Sequence, residues 1–482
     1  MKRHEINNGY RPLKFNAVRK MILAAAGLMM LYTLNGCKKM LEVDPAGSQL
    51  LSSSVFTDSV TVQSAIAGMY QNLNQSSSPY SAALSYLPGF SADEMVYVSG
   101  LGGTYDGYIN NGILSNNEDL SLIWSVSYKM IYNANAIIEG IASSKNISLK
   151  FQNQATAEAR FIRAYCLFHL VNLFGDVPLV LTTDVNANSV MGRTPSTEVY
   201  AQIVSDLKFA QSTLPADYSI AGGSRTRANK WAATALLARV DLYLSNWADA
   251  EAEASAVITN SALFNLNGDL NKVFTPDNTE AIWQVYNDAN GYTVYAFMVL
   301  PNAVTKIPTF VLTPSLASAF EAGDARKVSW TNTLVYNGTT YTYPYKYKSI
   351  EGGANAEYLT MLRLAEQFLI RAEARVKQNN ISGAVADINR IRARARTSPT
   401  TLPDYAGNIS SDAALAAIAK ERRIELFAEQ GHRWFDLKRT GTVNTVIGVL
   451  KPTYWKPAAA LYPIPLSEIS RNNKLKQNPG YN

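Results

Sequence analysis

Histidine and cysteine are scarce in this chain, at three and two residues among 482. His4 sits in a basic N-terminal stretch, and His169 and His432 fall in separate helical patterns. A zinc site or a Ser-His-Asp triad needs partners at readable spacing, and none is present, so no metal and no cofactor is expected. Cys37 and Cys166 could form one bridge at most, far from a disulfide framework. A phosphate loop is missing as well: Gly100-Leu101-Gly102-Gly103 lacks the following Lys-Ser/Thr and reads as a flexible turn. Charge is sparse, at 17% of residues against 47% hydrophobic, which describes a globular protein with a substantial core. The length allows two or three domains or one large composite fold. Of the formal charge of +6, five units belong to residues 1–36, which hold six basic side chains and one acidic. The remainder is near neutral and carries no electrostatic footprint for nucleic acid.

Long apolar runs are also absent after the first segment. Residues 1–20 are basic overall and 21–34 almost wholly apolar, too short for the ~20 residues of a membrane span. The run ends in Leu34-Asn35-Gly36-Cys37. That tetrad resembles the lipobox of bacterial lipoproteins, with Asn35 departing from the usual small or apolar residue. The resemblance implies a signal peptide over 1–36 and a mature N-terminus at Cys37, bearing a diacylglyceryl thioether and an amide-linked acyl chain. Several acyl chains at ~0.8 kcal/mol per buried CH₂ make a lasting anchor.

What the chain does have is helical periodicity. A tether over 37–58 contains the breaker Pro45-Ala46-Gly47-Ser48. Helices are expected over 59–73 and 123–141, with a long Gly/Ser/Asn/Tyr-rich loop, 76–117, between them. Further helices are expected over 157–174, stopped by Gly175-Asp176-Val177-Pro178, and over 197–214. Two stretches then repeat at a constant offset of 134. Ala238 and Ala250 match Ala372 and Ala384, and Leu236, Leu242 and Trp247 match Ile370, Val376 and Ile381. Small residues twelve apart across a helix–turn–helix resemble the tetratricopeptide repeat. The fold class expected is therefore mainly α: a tetratricopeptide-like helical-hairpin scaffold of about four units, with a loop-rich lobe and a few short strands. The N-terminal helical region covers 59–260 and the irregular lobe 261–357, rich in Tyr, Asn and Gly. A C-terminal helical region and wrapping tail cover 358–482. Within the lobe, 282–286 reads as a strand, and Tyr341, Tyr343, Tyr345 and Tyr347 alternate as if on one strand face.

The densest run is ERRIELFAEQGHRWFDLKRTG, residues 421–441. Ile424, Phe427, Ala428 and Phe435 can form one helical stripe, interleaved with Glu421, Glu425 and Glu429. Like charges four apart repel on an open helix, so cations are expected to face them. Arg422, Arg423 and Arg433 are local candidates, and Arg390, Arg392, Arg394 and Arg396 come from the preceding segment. Asp436 can pair with Arg433 and Arg439. The reading favoured here is a structural ion-pair network; the alternative is a catalytic cluster.

Several stretches together resemble the SusD/RagB family of Bacteroidetes outer-membrane nutrient-binding lipoproteins. They are Cys37-Lys38-Lys39-Met40-Leu41-Glu42-Val43-Asp44-Pro45, RFIRAYCLFHLVNLFGDVP (160–178), residues 362–396, and 421–441. Leu461-Tyr462-Pro463-Ile464-Pro465, Glu468-Ile469 and Gln477-Asn478-Pro479-Gly480-Tyr481 complete the match. The resemblance implies a non-catalytic lipoprotein of the outer-membrane surface. It also implies a partner, a SusC-like TonB-dependent β-barrel transporter, and a nutrient ligand, typically an oligosaccharide and in some relatives a peptide.

No shared motif passes through the ligand site, so its candidates come from chemistry. Sugars need flat aromatic platforms beside Asn, Asp or Arg. The long loop offers Tyr97, Tyr105, Tyr108, Asp106 and Asn110, and the middle lobe offers Trp283, Tyr286, Tyr292 and Tyr295; Tyr97, Tyr105 and Tyr108 are favoured for their place in a long, polar, glycine-punctuated loop. Two other readings stay open. One is a lipid-anchored glycoside hydrolase using Asp93 or Glu94, although adjacent residues do not establish two carboxyls at ~5–9.5 Å across a bond. The other is a tetratricopeptide-type adaptor with only protein partners.

Overall fold

The structure, a computed structural model, describes residues 55–98, 103–287, 291–351 and 356–481. The leader, Cys37 and most of the tether lie outside the described residues. Helix starts follow local capping chemistry. Helix α1 (Ser59–Asn74) begins where the Asp58 carboxylate accepts the N–H groups of Val60 and Thr61. A short helix α2 (Ala83–Ser91) and strand β1 (Met95–Tyr97) follow. Helix α3 (Glu118–Ala142) is capped by Asn117 and α4 (Leu149–Phe174) by Ser148. Gly175, at φ 74°, ends α4 with its N–H on the carbonyl of Val171. Helix α5 (Ser196–Thr213) packs back against α4, as α4 does against α3.

The internal repeat is present in the backbone itself. Helices α6 (Lys230–Leu244) and α7 (Trp247–Thr259) form one hairpin. Helices α8 (Leu364–Lys377) and α9 (Ile381–Ala395) form the other. At the same offset of 134 residues, Ser245 turns the first with φ 62° and Asn379 the second with φ 64°. The four small residues of the repeat, Ala238, Ala250, Ala372 and Ala384, are each fully buried. Ala238, Leu242, Ala250 and Ala254 form one cluster with Ile370 and Ala374, so α7 lies directly on α8. Each alanine sets how closely two helix backbones approach, and larger side chains there would overpack by about 1–3 kcal/mol.

Among the described residues the strands form two-stranded antiparallel pairs. Strand β1 pairs with β3 (Phe310–Leu312), β2 (Ala281–Val285) with β6 (Leu359–Arg363), and β4 (Thr331–Tyr336) with β5 (Thr339–Pro344). Strand β2 is buried on both faces and joins the middle stretch to the start of the C-terminal helices.

Three expectations are corrected. Residues 76–98 are not an open loop: every residue of α2 is buried, and Tyr80 bonds Ser127 of α3 through its hydroxyl at 2.8 Å. The run Ala82–Phe90 is apolar enough to join the core, which its Ser and Gly content obscured. The four alternating tyrosines do not share a strand face, because β5 stops at Pro344. Tyr343 and Tyr347 are buried, whereas Tyr341 and Tyr345 are only half-buried. Finally, the stripe over 421–441 is not one helix. Helix α10 (Ser411–Glu425) ends at Leu426, and α11 (His432–Arg439) begins after a corner. Ala428, Gln430 and Gly431 in that corner all take positive φ. Gly431 has reason to be glycine, since a Cβ there would press on Pro88 at 3.0 Å.

Candidate ligand-binding site

The corner between α10 and α11 concentrates the charge of the molecule in its interior. Glu421, Glu425 and Glu429 are all buried, and cations from four other elements meet them. Glu425 accepts from Arg363 at 2.6 Å and Arg326 at 2.8 Å, and also pairs with Arg394. Glu421 meets Arg392 at 2.8 Å and Arg326 at 3.0 Å. Glu429 meets Arg363 at 2.8 Å and Lys346 at 2.5 Å. Burial alone would raise the Glu425 pKa, but Arg394, Arg363 and Arg326 hold it well below the ordinary carboxylate value.

Arg392 and Arg394 thus face the glutamates as the sequence suggested, whereas Arg326, Arg363 and Lys346 went unread because they lie far off in sequence. Arg390 is exposed instead, and Arg396 pairs with Asp404. Arg422 binds Asp436 at 2.7 Å, and Asp436 also accepts from Arg439 at 2.8 Å. Arg423 and Arg433 turn to Asp93, each at 2.7 Å. The corner offers no charge to a substrate. His432 beside it is buried, and burial followed by the charge of Arg239 pushes its pKa well down.

Asp93 and Glu94, the acidic pair of the hydrolase reading, are 3% and 1% exposed. Asp93 is held by its two arginines. Glu94 keeps its Oε1 without a hydrogen-bond partner among the described residues, and burial, with the Asp93 charge next, pushes its pKa up to about 8. Neither carboxyl is presented to a bound sugar.

The aromatic candidates divide by exposure. Tyr108 is fully buried with its hydroxyl on Asn117, and Trp283 is fully buried between Phe161 and Tyr165. Tyr295 is buried too. None of these three presents a ring face to solvent, because each fills the core its apolar body favours. Tyr97 and Tyr105 are half-buried and pack on each other and on Phe310, with ring centroids 5.2 to 6.2 Å apart. Asp106 accepts the N–H of Gly103, and Asn110, half-buried, caps the one-turn helix Asp106–Ile109. Tyr292 is half-buried and stacks on Phe297, centroids 5.8 Å apart and 21° between planes, and Phe297 is itself exposed.

Tyr286 differs from all of these. It is 58% exposed, the first residue past the end of β2. The register Val285↔Leu359 sets it beside Tyr358, whose ring meets it edge-on at 5.5 Å. Below it opens a cavity of about 390 Å³, lined by Tyr70, Gln71, Asn74 and Gln75 of the α1 end and by Thr226, Arg227 and Val285. Arg227 is fixed there by Glu158, at 2.6 and 2.9 Å. The side chains of Gln71 and Asn74 make no hydrogen bond among the described residues, so their amides are free to donate and accept. One exposed ring, side-chain amides and a fixed guanidinium make a set that can stack an apolar face and bond a rim of hydroxyls. The amides and Arg227 were not read from the sequence, although Gln71-Asn72-Leu73-Asn74-Gln75 is a visible concentration of amides at a helix end.

Comparison with known proteins places the chain. A family model described as "SusD family" matches residues 316–481, and one described as "Starch-binding associating with outer membrane" matches 39–244. SusD-like protein P2 of Formosa agariphila is 29% identical, over 94% of this chain and 98% of the relative. A SusD homolog from Bacteroides thetaiotaomicron superposes with a TM-score of 0.76 at 20% identity, covering 89% of this chain and 98% of that one. A laminarin binding SusD-like protein superposes at 0.73 with 24% identity, covering 88% and 100%.

Proposed function

The chain belongs to the SusD family of outer-membrane proteins, and on that premise we propose that it binds an oligosaccharide and delivers it to a SusC-like TonB-dependent β-barrel transporter. The observation that carries the ligand reading is the exposed Tyr286 ring above a cavity lined by side-chain amides and Arg227. A laminarin binding relative of the same fold supports the ligand class, and the family resemblance supports the transporter. Cys37 is the lipid anchor in this reading, and no helix among the described residues is long and apolar enough to cross a membrane.

Titration calorimetry of the mature protein against starch-derived and laminarin-derived oligosaccharides tests it, with product analysis on the same mixtures. Saturable binding without cleavage, weakened in Tyr286→Ala, is the expected result. Release of shorter products would instead favour the hydrolase, and absence of any glycan binding would favour the protein-only adaptor. For the anchor, Cys37→Ala is expected to leave the membrane fraction; retention after washing would exclude lipidation at that residue.

A further inference from the structure

A second cavity, of about 460 Å³, opens where α7, α8 and α9 meet, away from the residues of the Tyr286 pocket. Its charge is one-sided. Three guanidinium groups line it, Arg371, Arg375 and Arg390, against a single carboxylate, Asp387. That carboxylate is buried and fully engaged: Oδ1 accepts from Arg371 at 2.6 Å, and Oδ2 accepts from Arg371 and Arg375, each at 2.9 Å. Glu251 holds the Nε of Arg375 at 2.8 Å from outside the lining. Arg371 and Arg375, one turn apart on α8, are therefore held in place before any ligand arrives. Arg375 Nη2 donates to nothing among the described residues, and Arg390, three residues beyond Asp387 on α9, makes no ion pair among them.

The remaining walls are of two kinds. Phe264 and Phe368, 1% and 7% exposed, back the cavity, and Ser261 and Asn265 supply polar groups at the rim. The guanidinium left over after these pairings, that of Arg390, selects an anion, and planar guanidinium forks suit a carboxylate in particular. The aromatic lining selects a ligand with an apolar face, and the rim suits hydroxyls. The volume lies in the range of small-ligand sites and does not admit a folded partner. We propose that this cavity binds a monosaccharide-sized carboxylate ligand of the hexuronate class, with its carboxylate on Arg375 and Arg390 and its ring against Phe264 and Phe368. The proposal rests on this lining alone and is independent of what the Tyr286 pocket holds.

Titration calorimetry of the mature protein with D-glucuronate and D-galacturonate tests it, using D-glucose and acetate as the sugar without the acid and the acid without the sugar. A hexuronate should bind about tenfold more tightly than either control, since both halves of the site are then used. Arg390→Gln should weaken it by about fivefold or more, Arg390→Lys should recover part of the loss, and added salt should weaken the wild type. Arg390 is exposed and makes no ion pair among the described residues, so its replacement leaves the fold intact. Each of these results would overturn the proposal: no saturable hexuronate binding, acetate binding as tightly as the hexuronate, or Arg390→Gln binding like the wild type. Tyr286→Ala supplies the control between sites. Hexuronate binding unchanged in that variant supports a separate cavity, and its loss assigns the acid to the Tyr286 pocket and overturns the proposal.

Discussion

The corner between α10 and α11 and the pocket under Tyr286 are built from opposite materials. The corner buries three glutamates against cations drawn from distant parts of the chain, and each carboxylate is met at 2.5 to 3.0 Å. The pocket leaves one tyrosine ring 58% exposed and two amide side chains without a hydrogen bond among the described residues. The glutamates of the first are paired within the molecule and hold the structure. Bonding capacity in the second is unsatisfied, and that is what a ligand can use. The difference teaches that density of chemistry in a sequence is a poor guide to function here: the densest run in the chain is a lock, and the binding capacity sits on sparse residues around it.

The largest effect is expected where the lock is opened. Arg363 touches Glu280, Glu425 and Glu429 at 2.6 to 3.0 Å. Arg363→Met would leave three buried carboxylates short of a cation, and removing one partner of such a group typically costs about 3–5 kcal/mol. Urea unfolding should show that loss in the midpoint, with the slope unchanged. A shift of less than about 1 kcal/mol would mean the surrounding arginines compensate, and the contrast between the two regions would weaken.

Glu94 sharpens the contrast from within the core, since it is the buried carboxylate the network leaves out. Its folded-state pKa, raised by burial and then by Asp93, stands near 8 against an ordinary 4.5. The folded state therefore holds a proton that the unfolded chain has released between those values. Its contribution is fully present below pH 4.5, falls as pH rises, and is lost by about pH 8. Glu94→Gln should abolish that slope, and its advantage over the wild type should grow steadily between pH 4.5 and pH 8. Parallel stability–pH curves for the two proteins would show that Glu94 does not titrate in this window.

How much of this was legible in the sequence follows from the same contrast. The hairpins could be read because two copies carry the same small residues at the same offset, down to Ser245 and Asn379 in the turns. The break at Ala428 to Gly431 could not, since apolar periodicity runs on through residues whose backbone turns into positive φ. Arg326, Arg363 and Lys346 were invisible for a simpler reason: their pairing with α10 is set by tertiary folding over 62 to 99 residues of chain. Among the aromatic candidates, composition could not separate the buried Trp283 from the exposed Tyr286 three residues later, because that distinction rests on where β2 ends.

The smaller effects belong to the pocket, and they should appear in binding without appearing in stability. Tyr286→Ala should weaken oligosaccharide binding by about 1–3 kcal/mol, the range of other exposed stacking platforms, while unfolding moves by no more than about 0.5 kcal/mol. Gln71→Ala is expected to do least. Its side chain is exposed, bonds nothing among the described residues, and sits at the end of α1, where alanine is a good helix former. Stability should therefore hold or rise slightly, and a neutral hydrogen bond to a ligand hydroxyl, if it is made there, contributes about 0.5–1.5 kcal/mol. Calorimetry on Gln71→Ala, Tyr286→Ala and the double variant reads the coupling between them. A shared ligand makes the two losses interact, whereas strictly additive, negligible losses would place the glycan on other residues and leave Tyr286 an isolated surface ring.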